Sequence, residues 1–492
     1  MMTTTTPDHV VPVQKLEARL PKGLRTTLLW LVVGAVAAWI VSLLPLDLGP
    51  IGKTTLSVFV FTIALWIGEL VPTGIAAVIW AGLLILTLGK AMPAATIFSG
   101  FTADTVWLMI GAFLIGQATT ETGLAKRIAY TLMVRGGASY GRAIFYMWIA
   151  MFVLGAFVPS GTVRAAIFIP IMYAIGAAFN VTRDRSFAAN LFLNVYWSST
   201  AVEGLWYTAS VPNVIAMTSL QQLTGFHQTW IGWVLVQLVP VAIFSVCTYW
   251  ITNRLFRPRA IDTDADQSGE TVSKDLAELG SMSPAEWRAA GFFALAVVLW
   301  ALEPVIHLPN AWTAAFIAAA LFLPGVGVLE EKSLNRISWN SVLLLGIALG
   351  IGNVMAFAKV DAFLLQHLLN PILAPLAVLG SAGLALGIGL FSFVFHFVIP
   401  SGIVQASTLS PLLIKFAMNA GFDPRVVAFT VPRAVVLFLF PYESLPMLVL
   451  WGTGYLDMRR CIQNMAVMVV FMLIWLTLMG PYWSWISHLL NF

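Results

Sequence analysis

The tripeptide Pro-Ser-Gly occurs twice, at Pro159-Ser160-Gly161 and at Pro400-Ser401-Gly402, and each copy interrupts a long apolar stretch. A second apolar stretch follows each copy and breaks at a proline, Pro212 in the first half and Pro446 in the second. The separations nearly agree: 241 residues divide Ser160 from Ser401, and 234 divide Pro212 from Pro446. Proline removes an N–H donor and ends a helix, while glycine permits the turn. Broken backbone at membrane depth survives only where it is buried in protein or lines a cavity. Breaks at matching points of two hydrophobic halves are therefore the strongest pointer in such a sequence to a binding site for something carried across.

The membrane setting follows from composition. Of 492 residues, 59% are hydrophobic and only 10% charged, with mean hydropathy +0.89. A soluble domain carries about 25% charged residues. Runs of about 20 apolar residues, enough to span, recur along the chain, so an all-α integral membrane protein is expected. The net charge of +4 gives no sign of a nucleic-acid partner. Cys247 and Cys461 match no metal or redox spacing and read as small apolar side chains. There is no P-loop, no His-rich metal spacing and no Gly-x-Ser-x-Gly elbow, so neither an enzyme nor an ATP-driven pump is expected, and no cofactor. An ion gradient or exchange must drive any transport.

Charge sets the organisation. Lys15, Arg19, Lys22 and Arg25 precede the first span without a cleavage site, so residues 1–26 read as a cytoplasmic arm of a plasma-membrane protein. Residues 27–252 form a first membrane half, 253–286 a polar and mobile cytoplasmic linker, and 287–492 a second half. The first half has spans near 27–48, 54–70 and 73–90, a re-entrant or broken region from 105 to 179, a broken span around 187–221 and a closing span near 229–252. The second has spans near 287–303 and 310–328, a segment at 340–358, a broken region at 374–418, a broken span at 424–456 and a closing span near 463–488. An odd number of crossings in the repeated unit would invert one copy relative to the other. That gives two inverted repeats of about five spans plus an extra first span.

The helices leaving the two turns present N-termini, whose free N–H groups and dipoles favour an anion. Ser160, Gly161 and Thr162 at the first turn and Ser401, Gly402 and Ile403 at the second are candidates to frame it, with Ser210 and Ser444 adding hydroxyls from the broken spans. The alternative for either turn is a plain proline kink. Arg164 is either a charge partner for the anion or a helix-end arginine reaching for the surface. Glu203 and Glu443 are intramembrane acids. Glu443 is a cation ligand, a proton carrier or the ion-pair partner of Arg433. Glu69 and His396 read as structural.

At these residues the chain resembles the divalent anion:sodium symporter family, the solute carrier family 13 type of dicarboxylate, tricarboxylate and sulfate carriers. Trp66-Ile67-Gly68-Glu69-Leu70-Val71-Pro72 is similar to its Trp-x-x-Glu-x-x-Pro element. Thr105-Val106-Trp107-Leu108 through Thr122-Gly123-Leu124-Ala125-Lys126-Arg127 is similar to its next block. Both turns fall where that family has Ser-Asn-Thr at hairpin tips, and Ala209-Ser210-Val211-Pro212-Asn213 falls where it has Gly-Thr-Pro-Pro-Asn. Pro159 to Arg164 also resembles the Pro-Ser-Asn-Thr-Ala-Arg of its citrate and tartrate antiporters. The resemblance implies a homodimer in lipid, each protomer with a scaffold domain and an elevator-like transport domain of re-entrant hairpins and broken helices. It implies sodium near the tips, with Ser160, Gly161, Ala209, Ser401, Gly402 and Glu443 as ion-site candidates. Both tip asparagines are glycine here, and the second threonine is Ile403. Symport with Na⁺ or H⁺ and anion exchange all remain open. The expected cargo is a small divalent anion, foremost a di- or tricarboxylate. A sulfate-type oxyanion carrier, a cation/proton antiporter and an arsenite-type permease are the alternatives.

Overall fold

The computed structural model describes residues 23–136, 139–178, 185–257 and 266–490. Among the described residues there is no β-strand, and eight helices are long and apolar enough to cross a membrane. The protein is an all-α, multi-pass membrane protein. Most of the N-terminal arm, residues 1–22, lies outside the described residues.

The first half comprises α1 Leu24–Leu43, α2 Pro50–Ile67, α3 Thr73–Leu88, α4 Asp104–Glu121, α5 Leu124–Val134, α6 Tyr140–Phe157, α7 Gly161–Ala178, α8 Arg185–Leu205, α9 Val211–Thr224 and α10 Trp230–Leu255. After α11 Asp266–Glu278, the second half comprises α12 Pro284–Ile306, α13 Asn310–Ala320, α14 Trp339–Phe357 and a continuous helical run α15 Val360–Ala377. It continues with α16 Gly380–His396, α17 Gly402–Asn419, α18 Pro424–Ala434, α19 Leu445–Trp451 and α20 Met458–Leu490. From α2 onward the same succession appears twice: two helices, a long helix, a short one, a hairpin, a broken helix and a closing span. Helix α1 precedes it and is almost wholly unburied, which suits a peripheral span in contact with lipid.

The halves exchange partners. Helix α14 of the second half packs on α3 of the first, while α4 of the first packs on α13 of the second. Each crossing is close because glycine stands at it. The Gly74 N–H donates to Asn340 Oδ1 at 2.7 Å, and a Cβ at Gly111 would stand 2.6 Å from Ala314.

Three expectations change. The region from 105 to 179 is four helices, α4 to α7, of which only α6 and α7 form the hairpin around the first Pro-Ser-Gly. The span expected at 310–328 stops at Ala320, since Pro324 and left-handed Gly325 (φ 77°) turn the chain. The inter-half linker is docked rather than mobile over 266–278. Val272 and Leu276 lie one turn apart on α11, Val272 is buried, and Leu276 packs on the same core. Arg127 then clamps the following turn by donating to the carbonyls of Leu279, Gly280 and Ser281 while pairing with Glu286 at 2.6 Å. Residues 258–265 lie outside the described residues.

Candidate functional site

Two hairpins and two broken helices converge on one region. Helices α6 and α7 enclose the turn at Pro159-Ser160, and α16 and α17 enclose the turn at Pro400-Ser401. The α8–α9 helix breaks over 206–210 and the α18–α19 helix over 435–444. In both, a single 3₁₀ turn (Tyr207–Ala209, Pro441–Glu443) precedes the resumption at Ser-x-Pro. Proline at the second helical position lacks the N–H that would be unsatisfied there in any case.

The contacts cross between the halves. Helix α7, leaving the first tip, packs on α19, and α17, leaving the second tip, packs on α9. Each hairpin thus also sits beside the resumed segment of the other half's broken helix. At the first tip the fit is tight: a Cβ on Gly161 would collide with Glu203 Oε1 and lie 3.1 Å from Pro446 Cγ. At the second, a Cβ on Gly402 would lie 3.0 Å from the Val435 carbonyl. The structure therefore brings Gly161 to Ser199, Glu203 and Pro446, and Gly402 to the second break.

The serines divide into two kinds. Ser160 Oγ accepts from the Val163 N–H and Ser401 Oγ from the Val404 N–H, both at 3.4 Å, so both tip serines cap their helices. Ser210 and Ser444 are extended N-cap residues (φ −148° and −136°) whose side chains accept no capping bond. Their hydroxyls are therefore not tied to their own helices, and the Ser444 hydroxyl reaches the Tyr196 hydroxyl. Ser160, Thr162, Ser401, Gly402, Ile403 and Ser444 keep partial exposure, while Gly161, Arg164, Ala209, Ser210 and Glu443 are buried.

Arg164 does not reach for the surface: it is fully buried. Its five N–H donors all meet protein acceptors. Nη2 donates to Glu203 Oε1 at 2.9 Å and to the Ser199 carbonyl at 3.3 Å. Nη1 donates to the carbonyls of Val158 (2.6 Å) and Ala209 (3.4 Å), and Nε to Ser199 Oγ (3.2 Å). One guanidinium thus ties the hairpin, the helix before the break and the break itself.

Sequence reasoning left out the counterpart of Arg164. Gln405 stands 241 residues later, the separation of the two serines, and its amide donates to the Ile399 carbonyl at 2.9 Å, as Arg164 does to Val158. The break carbonyls correspond too. Arg164 donates to Ala209 O, and His396 Nε2 lies 3.3 Å from the carbonyl of Glu443, 234 residues after Ala209. Each hairpin therefore holds the matching carbonyl of its own broken helix, with a nitrogen of different chemistry.

Glu443 is not the partner of Arg433. Its Oε2 accepts the N–H groups of Leu439 and Phe440, both at 2.8 Å, and so closes its own break. Arg433 instead donates to Asn213 Oδ1 (2.7 Å) and to the Glu203 carbonyl (3.1 Å), because Gly204 leaves room for its guanidinium beside α8. Glu69 has a left-handed backbone (φ 47°) in the turn between α2 and α3, a position with a structural use. Among the described residues no cluster of His, Cys, Asp and Glu could hold a metal ion.

The profile of the sodium:sulfate symporter transmembrane region matches residues 25–489. A "membrane protein" of Cupriavidus necator is 26% identical, covering 97% of this chain and 95% of that one. The chloroplastic dicarboxylate transporter 2.1 of Arabidopsis thaliana is also 26% identical, covering 84% and 74%. The fold is similar to that of the YdaH transporter of Alcanivorax borkumensis, with a TM-score of 0.51 at 15% identity over 93% of this chain and 96% of that one. Matched from the start of its first membrane helix to the end of its last, this chain belongs to the sodium:sulfate symporter family, whose members are membrane transporters of small anions and not enzymes.

Proposed function

We propose that this protein carries small di- or tricarboxylates across a bacterial plasma membrane, with its N-terminus cytoplasmic, and does so by exchange rather than sodium symport. The observation that carries the reading is the crossed pairing of α7 with α19 and of α17 with α9. It gathers four helix N-termini, two of them opening at serines whose hydroxyls cap nothing. N–H groups and hydroxyls of this kind suit a carboxylate. Ser160, Gly161, Thr162, Ser401, Gly402 and Ile403 frame the cargo, with Ser210 and Ser444 beneath it. Arg164 acts as a positioning residue, since its donors are used within the protein. The dicarboxylate transporter of A. thaliana supports this choice of cargo.

Exchange is favoured by the first break. A sodium ion there would compete for the Ala209 carbonyl with a guanidinium that already donates to it, and like charges at such range repel. In alternating access a pair of hairpins and broken helices moves together against the remaining helices, and each protomer of a homodimer works alone.

The test is uptake of labelled succinate, citrate and sulfate into proteoliposomes. Uptake of a carboxylate should accelerate when vesicles are preloaded with unlabelled carboxylate and should be unchanged when choline replaces sodium. Uptake that requires sodium would remove exchange. Uptake of sulfate alone would remove the carboxylate reading.

A further inference from the structure

A second polar hollow lies behind the first break, away from the hairpin tips. It is lined by Thr200, Val241, Phe244, Arg433, Met472 and Trp475 and has room for an occupant about the size of one water molecule. Arg433 is 4% exposed, and its Nε–H meets no acceptor. Its Nη2 is used by Asn213 and the Glu203 carbonyl. No carboxylate pairs with it, because the Glu203 carboxylate turns to Arg164.

Gln237 is the second unsatisfied group. It is fully buried, and neither its amide nitrogen nor its oxygen has a partner. Its place follows from helical spacing. Trp233, Gln237 and Val241 succeed one another at four-residue intervals on one face of α10. Trp233 Nε1 donates to the Gly204 carbonyl at 3.0 Å, and a Cβ at Gly204 would lie 2.7 Å from Val241 Cγ2 and 2.9 Å from Arg433 Nη1. Gln237 is therefore between two contacts to the same glycine, whose remaining neighbour is Arg433.

A buried guanidinium without a counter-charge is costly in a membrane protein, and so is an amide with no partner. We propose that a single halide ion, chloride in the cell, sits between Arg433 Nε and Gln237 Nε2. Both groups donate hydrogen, which selects an anion, and the apolar walls of Val241, Phe244, Met472 and Trp475 suit a weakly hydrated one. The site would neutralise Arg433 and so fix Asn213 and the Glu203 carbonyl at the first break.

The experiment uses the full-length protein in nanodiscs, melted by tryptophan fluorescence in sodium chloride, sodium bromide or sodium gluconate at equal ionic strength. Chloride and bromide should raise the midpoint saturably, by about 1–3 °C over gluconate. Gln237→Leu should keep its cooperative transition in gluconate, since no protein group depends on the Gln237 amide, and should lose the halide shift. Equal midpoints in all three salts, or a halide shift undiminished in Gln237→Leu, would overturn the proposal in favour of bound water. If Gln237→Leu fails to fold, anomalous scattering from bromide-soaked crystals of the unmodified protein decides. A peak beside Arg433 supports the site and its absence refutes it.

Discussion

At the residue scale, the two tip glycines are not equivalent despite their identical surroundings in sequence. A methyl group on Gly161 would overlap the Glu203 carboxylate, which is held by Arg164, and would press on Pro446. A methyl group on Gly402 meets one backbone oxygen at 3.0 Å, which a shift of a few tenths of an ångström relieves. Gly161→Ala should therefore destabilise the protein by about 1–3 kcal/mol, the ordinary cost of overpacking, and reduce carboxylate uptake sharply. Gly402→Ala should do markedly less of both. Thermal midpoints and initial uptake rates of the two variants, measured side by side, decide it, and equal effects would count against the Glu203 contact. Glu203→Gln bears on the same lock. Removing one partner of a buried pair costs about 3–5 kcal/mol, and here it would leave Arg164 uncompensated. Pairing it with Arg164→Gln should recover part of the lost midpoint while uptake stays low, since the tie to Ala209 is gone.

At the element scale, serines in similar local sequence do different work. Ser401 caps α17 through the Val404 N–H, and Ser401→Ala should cost about 1 kcal/mol, as loss of a cap does, together with some uptake. Ser444 makes no capping bond to its own helix. Ser444→Ala should leave the midpoint within about 0.5 kcal/mol of the unmodified protein, as substitutions away from cores and caps do, and should raise the KM for carboxylate. A Ser444→Ala variant that melts early with an unchanged KM would mean that the hydroxyl serves packing, through Tyr196, and not the cargo. The division of the serines was only half legible beforehand. Ser-x-Pro and Pro-Ser-Gly both announce helix starts by residue type. Which hydroxyl is spent on its own helix depends on backbone angles that a one-residue proline shift sets.

At the scale of the whole molecule, contacts between the halves hold the fold. His227, in the turn between α9 and α10, lies 2.9 Å from Glu303 near the end of α12. The hydrogen bond to Glu303 holds the imidazole pKa above its usual 6.5 against partial burial, with Asp104 adding to the rise. A group whose folded pKa is raised contributes stability that is complete below its unfolded pKa and is lost as pH climbs through the folded one. The thermal midpoint should therefore fall as pH rises from about 6.5 into the alkaline range, and this component should vanish in His227→Gln. Because His227 is half exposed, the effect should be small and weaker in high salt. An identical pH profile in the variant would rule the contact out as a contributor.

The repeat, the membrane class, the broken spans and both tips were readable from residue order, because each rests on a local rule. Apolar run length fixes spans, and proline and glycine fix breaks. The separation of 241 residues even contained the correspondence of Arg164 with Gln405. What sequence could not supply was partnership. Arg433 and Glu443 lie ten residues apart and looked like a pair, yet the break between α18 and α19 turns Glu443 back on its own backbone while Arg433 crosses to Asn213, 220 residues away. Likewise α11 looked like a free linker until Arg127, 153 residues from Gly280, closed over it. A buried charge takes whichever acceptor the packed helices place within about 3 Å, and that choice exists only once the two halves have interlocked.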